Sequence, residues 1–336
     1  MVYNLSEKIK NKFKKNIDLN KHKSEIFSIK CLDDIEVNKN IFINFEKINN
    51  IRRINKFHES VNNLLNNKGI YISCAETLDE RKKRVEKKTI FGLKKIILFI
   101  DFIYKRVLPK LPILKFFYFF FTKGHNRVLS KAEILGRLIS CGFLIKDYFE
   151  YKNILYIVSV KNKSPDFNMQ PSYGVLFKMK RIGYRGKIIG VYKFRTMHPY
   201  SEYCQELIYK ENKLASSGKI NNDYRVTYWG KLMRKYWIDE IPMLINFFKG
   251  ELSLIGVRPI SESYFSNYPE KLKRIRLKIK PGLIPPYYAD LPKNFNEILA
   301  SEEKYILKKI DSPLITDISY FIRASINIIF KGARST

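Results

Sequence analysis

Glycine lets a chain turn tightly or lay its backbone against a phosphate, and the first glycine of these 336 residues is Gly69. A glycine-rich phosphate cradle therefore has no place upstream of that position. Residues 1–50 are rich in Lys, Asn and Ile and also lack proline. They read as a basic, partly helical leader with no chemistry of its own.

Residues 51–165 carry α/β signals. Phe57–Asn66 is expected to form a short helix and Ile70–Ala75 a strand. Ser130 should cap a helix over Lys131–Ser140 that stops at Cys141-Gly142. Phe143–Phe149 and Ile154–Val160 read as two further strands around a polar turn. This order resembles the closing third of a Rossmann-like methyltransferase domain. With no glycine loop ahead of it, a structural remnant or docking module is expected, not a working methyltransferase.

Inside that region lies IFGLKKIILFIDFIYKRVLPKLPILKFFYFFF, residues 90–121. No apolar run in it reaches the roughly 18 residues of a simple spanning helix. At helical spacing Lys94, Lys95, Asp101, Lys105 and Arg106 share one arc, with Ile96, Ile97, Ile100, Ile103, Tyr104, Val107 and Leu108 opposite. Pro109 and Pro112 end or kink the helix before an aromatic stretch, Lys115–Phe121. The pattern suits a segment lying in a membrane interface; the other reading is a lid helix packed on the protein's own core.

Lys and Arg number 63 against 32 Asp and Glu, a net charge of +31 that attracts polyanions: nucleic acid, an anionic membrane face or phosphorylated substrates. With 22 Tyr and 24 Phe a sizeable core is available and wholesale disorder is excluded. Cys31, Cys74, Cys141 and Cys204 are too scattered for a disulfide framework or a paired zinc site, so buried free thiols are expected. The N-terminus has no apolar signal-peptide core, which places the chain on the cytoplasmic side.

From about Ser172 the sequence becomes specific. Lys178, Arg181, Lys193, Arg195, Arg225, Arg234 and Arg258 are interleaved with glycine turns, a setting in which arginines fork onto phosphate oxygens. Asp239-Glu240 precedes Pro242, which suits the first turn of a helix through Met243–Phe248 that stops at Lys249-Gly250. Two carboxylates among cations can hold Mg²⁺ together with substrate phosphates, or one of them can attack phosphorus. An acidic pair that only balances local charge is the plainer alternative.

KFRTM, RKYWIDEIPMLIN, KGELSLIGVRP and KPG, in that order over roughly 171–336, resemble the bacterial sugar transferase family. These are monotopic polyprenyl-phosphate phosphoglycosyl transferases that begin surface-glycan assembly. The resemblance implies that Asp239 attacks the β-phosphate of a UDP-sugar and releases UMP. The phosphosugar then passes from Asp239 to polyprenyl phosphate. It also implies that Glu240 holds Mg²⁺, that Arg258 contacts the nucleotide-sugar phosphates and that Lys193, Arg195 and Arg234 line the same site. Arg225 joins them on chemistry and position.

Two departures stand out. The family's membrane-inserting helix, broken at Ser-Pro, would fall where Ile154–Val160 and KNKSPDFNMQPSYG stand, so the 90–121 segment is expected to supply membrane contact instead. After KPG the chain reads LIPPYYADLP, where Tyr287, Tyr288 and Asp290 either shape a sugar or lipid pocket or belong to a rigid loop. Ile315–Phe330 resembles the family's closing amphipathic helices; a packed terminal helix is the other reading.

The expectation is thus an α/β chain: a leader (1–50), a Rossmann-like, methyltransferase-like remnant (51–165) and a small membrane-associated phosphoglycosyl transferase domain (166–336). Its partners would be a UDP-sugar, polyprenyl phosphate and membrane lipid at the cytoplasmic face of the bacterial inner membrane, with a homo-oligomer left open. A catalytically silent scaffold for glycan-assembly enzymes is the alternative from another class. A nucleic-acid binder is disfavoured, because no such motif is present and the carboxylate pair would repel phosphate without a metal.

Overall fold

The computed structural model describes residues 11–13, 38–89, 93–111, 113–165, 174–212 and 223–333. The chain is mixed α/β and divides into two compact units, Met1–Tyr173 with His198–Arg225, and Gly174–Met197 with Val226–Thr336. It leaves the first unit, returns at His198 and leaves again after Arg225, so neither unit is continuous in sequence.

The first unit is built on a four-stranded sheet: β1 (Lys39–Lys47), β2 (Leu65–Ala75), β3 (Phe143–Tyr151) and β4 (Ile154–Lys161), in the order β1-β2-β4-β3. β1 and β2 are parallel and joined by helix α1 (Ile54–Leu64), whereas β4 runs antiparallel to both β2 and β3. β1 lies within the stretch read as a helical leader. Phe42 and Ile43 of β1 are fully buried, so this part of the leader is core. β1 places Phe42 against Tyr71 and Phe57 beneath the sheet and Ile43 on the opposite face. Helix α5 (Lys131–Ser140) starts where Ser130 was expected to cap it; the Ser130 hydroxyl accepts the Glu133 amide at 3.2 Å. Cys74, Cys141 and Cys204 are buried and free, as expected, and Cys31 lies outside the described residues. Helix α6 (Gln205–Asn212) adds Ile208 to the same core.

Between α2 (Leu78–Lys88) and α5 the chain forms a helical hairpin. Its first arm is α3 (Lys94–Phe102), continued by a π-helical turn, Ile103–Val107, and a 3-10 turn, Leu108–Lys110; its second is α4 (Leu114–Thr122). α-Helical geometry is lost in the turns that lead into Pro109, as the proline predicts, and the arm ends at the extended Leu111; Pro112 lies outside the described residues. The polar side of this hairpin packs on the protein. Arg81 forks onto Asp101 at 2.7 and 2.8 Å, and the buried Arg106 donates to Glu133 at 3.1 Å and to the Val128 carbonyl at 2.8 Å. The apolar side faces outward: Phe116, Phe120 and Phe121 are 68%, 77% and 73% exposed, and α3 buries none of its side chains. A lid packed on its own core would have the opposite orientation.

In the second unit β5 (Leu176–Ile182) and β6 (Ile188–Phe194) form an antiparallel hairpin. Helix α7 (Tyr228–Lys235), a 3-10 turn over Ile238–Met243 and helix α8 (Leu244–Phe248) follow. A two-stranded parallel ladder then pairs β7 (Ser253–Ile255) with β8 (Gly282–Ile284), flanked by α9 (Glu270–Arg276), α10 (Phe295–Asp311) and α11 (Pro313–Phe330).

This ladder joins two of the sequence motifs backbone to backbone. The Gly282 amide donates to the Val257 carbonyl at 3.0 Å, and a Cβ on Gly282 would fall 2.1 Å from the Gly256 amide nitrogen. The glycines of GVRP and KPG are therefore there because only hydrogen fits at the crossing.

Helix α11 buries Thr316, Tyr320, Ala324 and Asn327 and turns Leu314, Ile315, Ile318, Ile322, Ile329 and Phe330 outward. Asp290 holds the buried side: it accepts from Arg323 at 2.7 Å, Ser301 at 2.7 Å and Tyr320 at 3.3 Å. Of the two readings of the PYYADLP segment, the rigid loop describes Asp290. Among the described residues no helix is long and apolar enough to cross a membrane.

Candidate active site

The acidic pair sits at a junction that several local rules fix together. Thr227 caps α7 by accepting the Gly230 amide at 2.8 Å, and its own amide donates to the Thr196 carbonyl at 2.9 Å. Gly230 is packed so closely that a Cβ there would lie 2.1 Å from that carbonyl oxygen. Thr196, in KFRTM, also accepts from Arg234 Nε through its hydroxyl at 2.9 Å. One threonine thus ties β6 to both ends of α7.

Trp237 then ends α7 in the left-handed region, φ 52° and ψ 18°, a conformation that costs a bulky L-residue about 1–2 kcal/mol. Two contacts hold it: its indole N–H donates to the Tyr288 hydroxyl at 2.8 Å, and its carbonyl accepts the Glu240 amide at 3.0 Å. The reversal starts the Ile238–Met243 turn with Asp239 and Glu240 in its first residues. α8 follows and stops at Lys249-Gly250, as expected, with Gly250 at φ 70°.

Lys193, on β6, reaches across to Glu240 with Nζ 2.5 Å from Oε1. Asp239 is half-buried, and burial raises its carboxyl above the ordinary range. Lys193 and Arg234 pull it back down, while Glu240 pushes it up. Arg258 is half-buried, which works against its charge, yet Tyr287, Glu240 and Tyr288 hold its guanidinium above the ordinary value. Arg181 is lowered by burial and by its neighbour Arg258, so a second guanidinium adds to the positive field there. The result is an acidic pair flanked by cations from three separate segments: Lys193 on β6, Arg234 on α7 and Arg258 beyond β7.

Asp239, Glu240, Lys193, Arg234 and Arg258 are therefore brought together. Arg195 is placed otherwise: its Nε donates to the Gly174 carbonyl at 3.1 Å and its guanidinium lies over Phe177 at 5.2 Å. Arg225 belongs to the first unit, buried and forked onto Asp223 at 2.7–3.1 Å.

Three supports were not read from the sequence as such. Asn246, fully buried in the PMLIN run, accepts the Tyr192 amide at 3.0 Å and donates to the Gly190 carbonyl at 2.9 Å and to Glu251 at 2.6 Å. It pins α8 to β6. Arg276 donates to the Arg258 carbonyl and is paired with the buried Glu302. The third, Trp237, also carried no signal, because a bulky residue is disfavoured in the left-handed region it adopts.

Among the described residues no group of three or more His, Cys, Asp and Glu could hold a metal alone. Glu240 already carries a cation, the Lys193 ammonium, and Asp239 is its chain neighbour. These two carboxylates are the groups that would hold a divalent ion, with substrate phosphates completing its shell.

Residues 165–331 match the family described as Bacterial sugar transferase. The carboxy-terminal half belongs to that family. Among its relatives, "Galactosyl transferase CpsE" of Streptococcus agalactiae is 34% identical over 135 residues, 39% of this chain and 30% of that protein. "Uncharacterized sugar transferase EpsL" of Bacillus subtilis is 38% identical over 109 residues, 32% of this chain and 48% of that one. "UDP-glucose:undecaprenyl-phosphate glucose-1-phosphate transferase" of Escherichia coli is 32% identical over 164 residues, 48% and 30% of the two chains. The match thus spans half or less of these relatives' lengths.

Proposed function

We propose that the chain is a phosphoglycosyl transferase that moves a phosphosugar from a UDP-sugar to polyprenyl phosphate. The observation that carries this reading is Asp239, half-buried, raised by its surroundings and held among Lys193, Arg234 and Glu240. A carboxylate enclosed by cations can approach phosphorus that it would otherwise repel, because the cations take the phosphate oxygens' charge. One Asp239 oxygen attacks the β-phosphorus, the bond to the α-phosphate's bridging oxygen breaks, and UMP leaves. A phosphate oxygen of the acceptor then attacks the same phosphorus and releases the carboxylate. Arg258 and Lys193 hold phosphate oxygens through both steps. Glu240, with Asp239 beside it, is placed to hold Mg²⁺, which when bound would neutralise phosphate charge.

A lipid acceptor suits the surroundings of the pair. Ile238, Ile241, Leu244, Ile245 and Phe248, on the same segment as Asp239, are all exposed. The α3–α4 hairpin and the outer face of α11 are apolar and exposed as well. Together with the family's membrane association, these support apposition to a membrane interface without a spanning helix. In the first unit, a parallel β1–β2 pair followed by an antiparallel inserted β4 supports reading that sheet as the closing part of a Rossmann-like layout.

The test is UMP release from a panel of UDP-sugars in the presence of membranes, polyprenyl phosphate and Mg²⁺. Release from one or more sugars by the wild type, and none by Asp239→Asn, is expected. Release by both proteins alike would refute the assignment of Asp239.

A further inference from the structure

A cavity of about 430 Å³ opens in the first unit, where the α3–α4 hairpin meets the start of α1 and the start of α5. That is a ligand-sized volume. Eight of its fifteen lining residues are arginine or lysine, and one is a carboxylate. The carboxylate, Glu133, is already neutralised: Arg106 reaches it at 3.1 Å and Arg137 at 2.9 Å, both guanidiniums buried. Arg52, Arg53 and Lys56 stand exposed at its α1 side, and Lys105 and Lys115 come from the hairpin itself. So many like charges around one cavity repel each other unless an anion joins them. Guanidiniums fork readily onto phosphate oxygens.

The cavity's position narrows the ligand. The hairpin that supplies Lys105, Pro109 and Lys115 to the wall turns Phe116, Phe117, Phe120 and Phe121 outward. A single element thus carries cations toward an open basic cavity and an apolar face toward the surroundings. An amphiphile with a phosphate head and hydrocarbon chains matches both sides. Glu133 is taken up by Arg106 and Arg137, and Asp101 by Arg81 and, at 3.9 Å, by Lys105, so the cations left over are chiefly those of the α1 side and Lys115.

We infer that this cavity binds the phosphate group of a membrane lipid, fixing the hairpin at the interface at a site distinct from the acidic pair of the second unit. The inference rests on the membrane apposition proposed above, and the test separates the two.

The full chain is mixed with phosphatidylcholine vesicles, with and without phosphatidic acid, and co-sedimentation is measured. Thermal unfolding with inorganic phosphate is followed in parallel. Wild type is expected to bind phosphatidic-acid vesicles on the order of tenfold more tightly than neutral ones. Arg52→Glu/Arg53→Glu/Lys56→Glu should lose that preference yet keep its binding to neutral vesicles. Lys82→Glu/Lys87→Glu/Lys88→Glu, a charge-matched change on the exposed side of α2, should keep the preference. Phe116→Ser/Phe120→Ser/Phe121→Ser should lose both vesicle types while inorganic phosphate still stabilises it.

Equal loss in the two charge-reversal variants would overturn the cavity as a site and leave general surface charge. Stabilisation by inorganic phosphate without any phosphatidic-acid preference would overturn the lipid as the source. If wild type ignores every vesicle, membrane apposition fails; absence of a phosphate effect as well would overturn the cavity's anion binding independently.

Discussion

Lys193 Nζ lies 2.5 Å from Glu240 Oε1, so the cation that neutralises the acidic pair comes from β6, some 47 positions upstream in the chain. The pairing explains why KFRTM and the WIDEIPM run must occur together: neither makes the site without the other.

Lys193→Met should therefore lower UMP release on the order of a hundredfold, as expected when one charge-stabilising donor is removed. Lys193 also holds Asp239's carboxyl down against burial. The variant's pH–rate profile should rise at higher pH than the wild type's, because the nucleophile must be ionised. An unshifted profile with a lower plateau would restrict Lys193 to phosphate contact.

The Gly256–Gly282 crossing leaves no room for a methyl group. Gly282→Ala should destabilise the second unit by about 3 kcal/mol or more in denaturant unfolding, since backbone and not a flexible side chain blocks the Cβ. Gly332, with nothing near it, should accept alanine at the smaller cost of its positive φ alone.

Glu302 is buried against Arg276, and Arg276 also holds the Arg258 carbonyl. Burial raises the Glu302 carboxyl, and Arg276 opposes that. Glu302→Leu leaves a buried guanidinium unpaired, at a cost of about 3–5 kcal/mol. Glu302→Leu/Arg276→Met should recover much of the stability but not the donor KM, because Arg258 has then lost its brace. Full recovery of both would show that the brace is only structural.

His58 is fully buried against Tyr71, at 3.3 Å, and burial followed by Arg137 lowers it to about 3. A depressed pKa contributes stability above the unfolded value of about 6.5 that is lost as pH falls toward the folded one. The first unit should lose up to about 4–5 kcal/mol over that window, measured by unfolding against pH. His58→Gln should flatten the slope.

Local chemistry was legible where it was self-contained. Ser130 capping α5, the stop at Lys249-Gly250, the strands at 143–151 and 154–161 and the Pro109 break all follow from residues within a few positions. β1 was not legible, because Lys39–Lys47 becomes a strand only by pairing with β2, some 26 residues later. Nor did composition separate Arg225 from Arg234: both are arginines in turn-rich sequence, and only the fold puts one on Asp223 and the other on Thr196. The amphipathic pattern of the hairpin was readable, but its orientation depended on partners elsewhere, Arg81 and Glu133.

Asp239's raised carboxyl means that the fold disfavours its charge, so Asp239→Asn should fold and be the more stable protein at neutral pH. That gain should vanish as pH falls below the ordinary carboxylate range. The decisive measurement is the mass of the Asp239 peptide after wild type meets its UDP-sugar without acceptor. A peptide heavier by one phosphosugar, formed with one UMP per chain and absent from Asp239→Asn, is the expected result. Continued UMP release with an unmodified Asp239, or near-normal turnover to polyprenyl phosphate by Asp239→Asn, would contradict the covalent route.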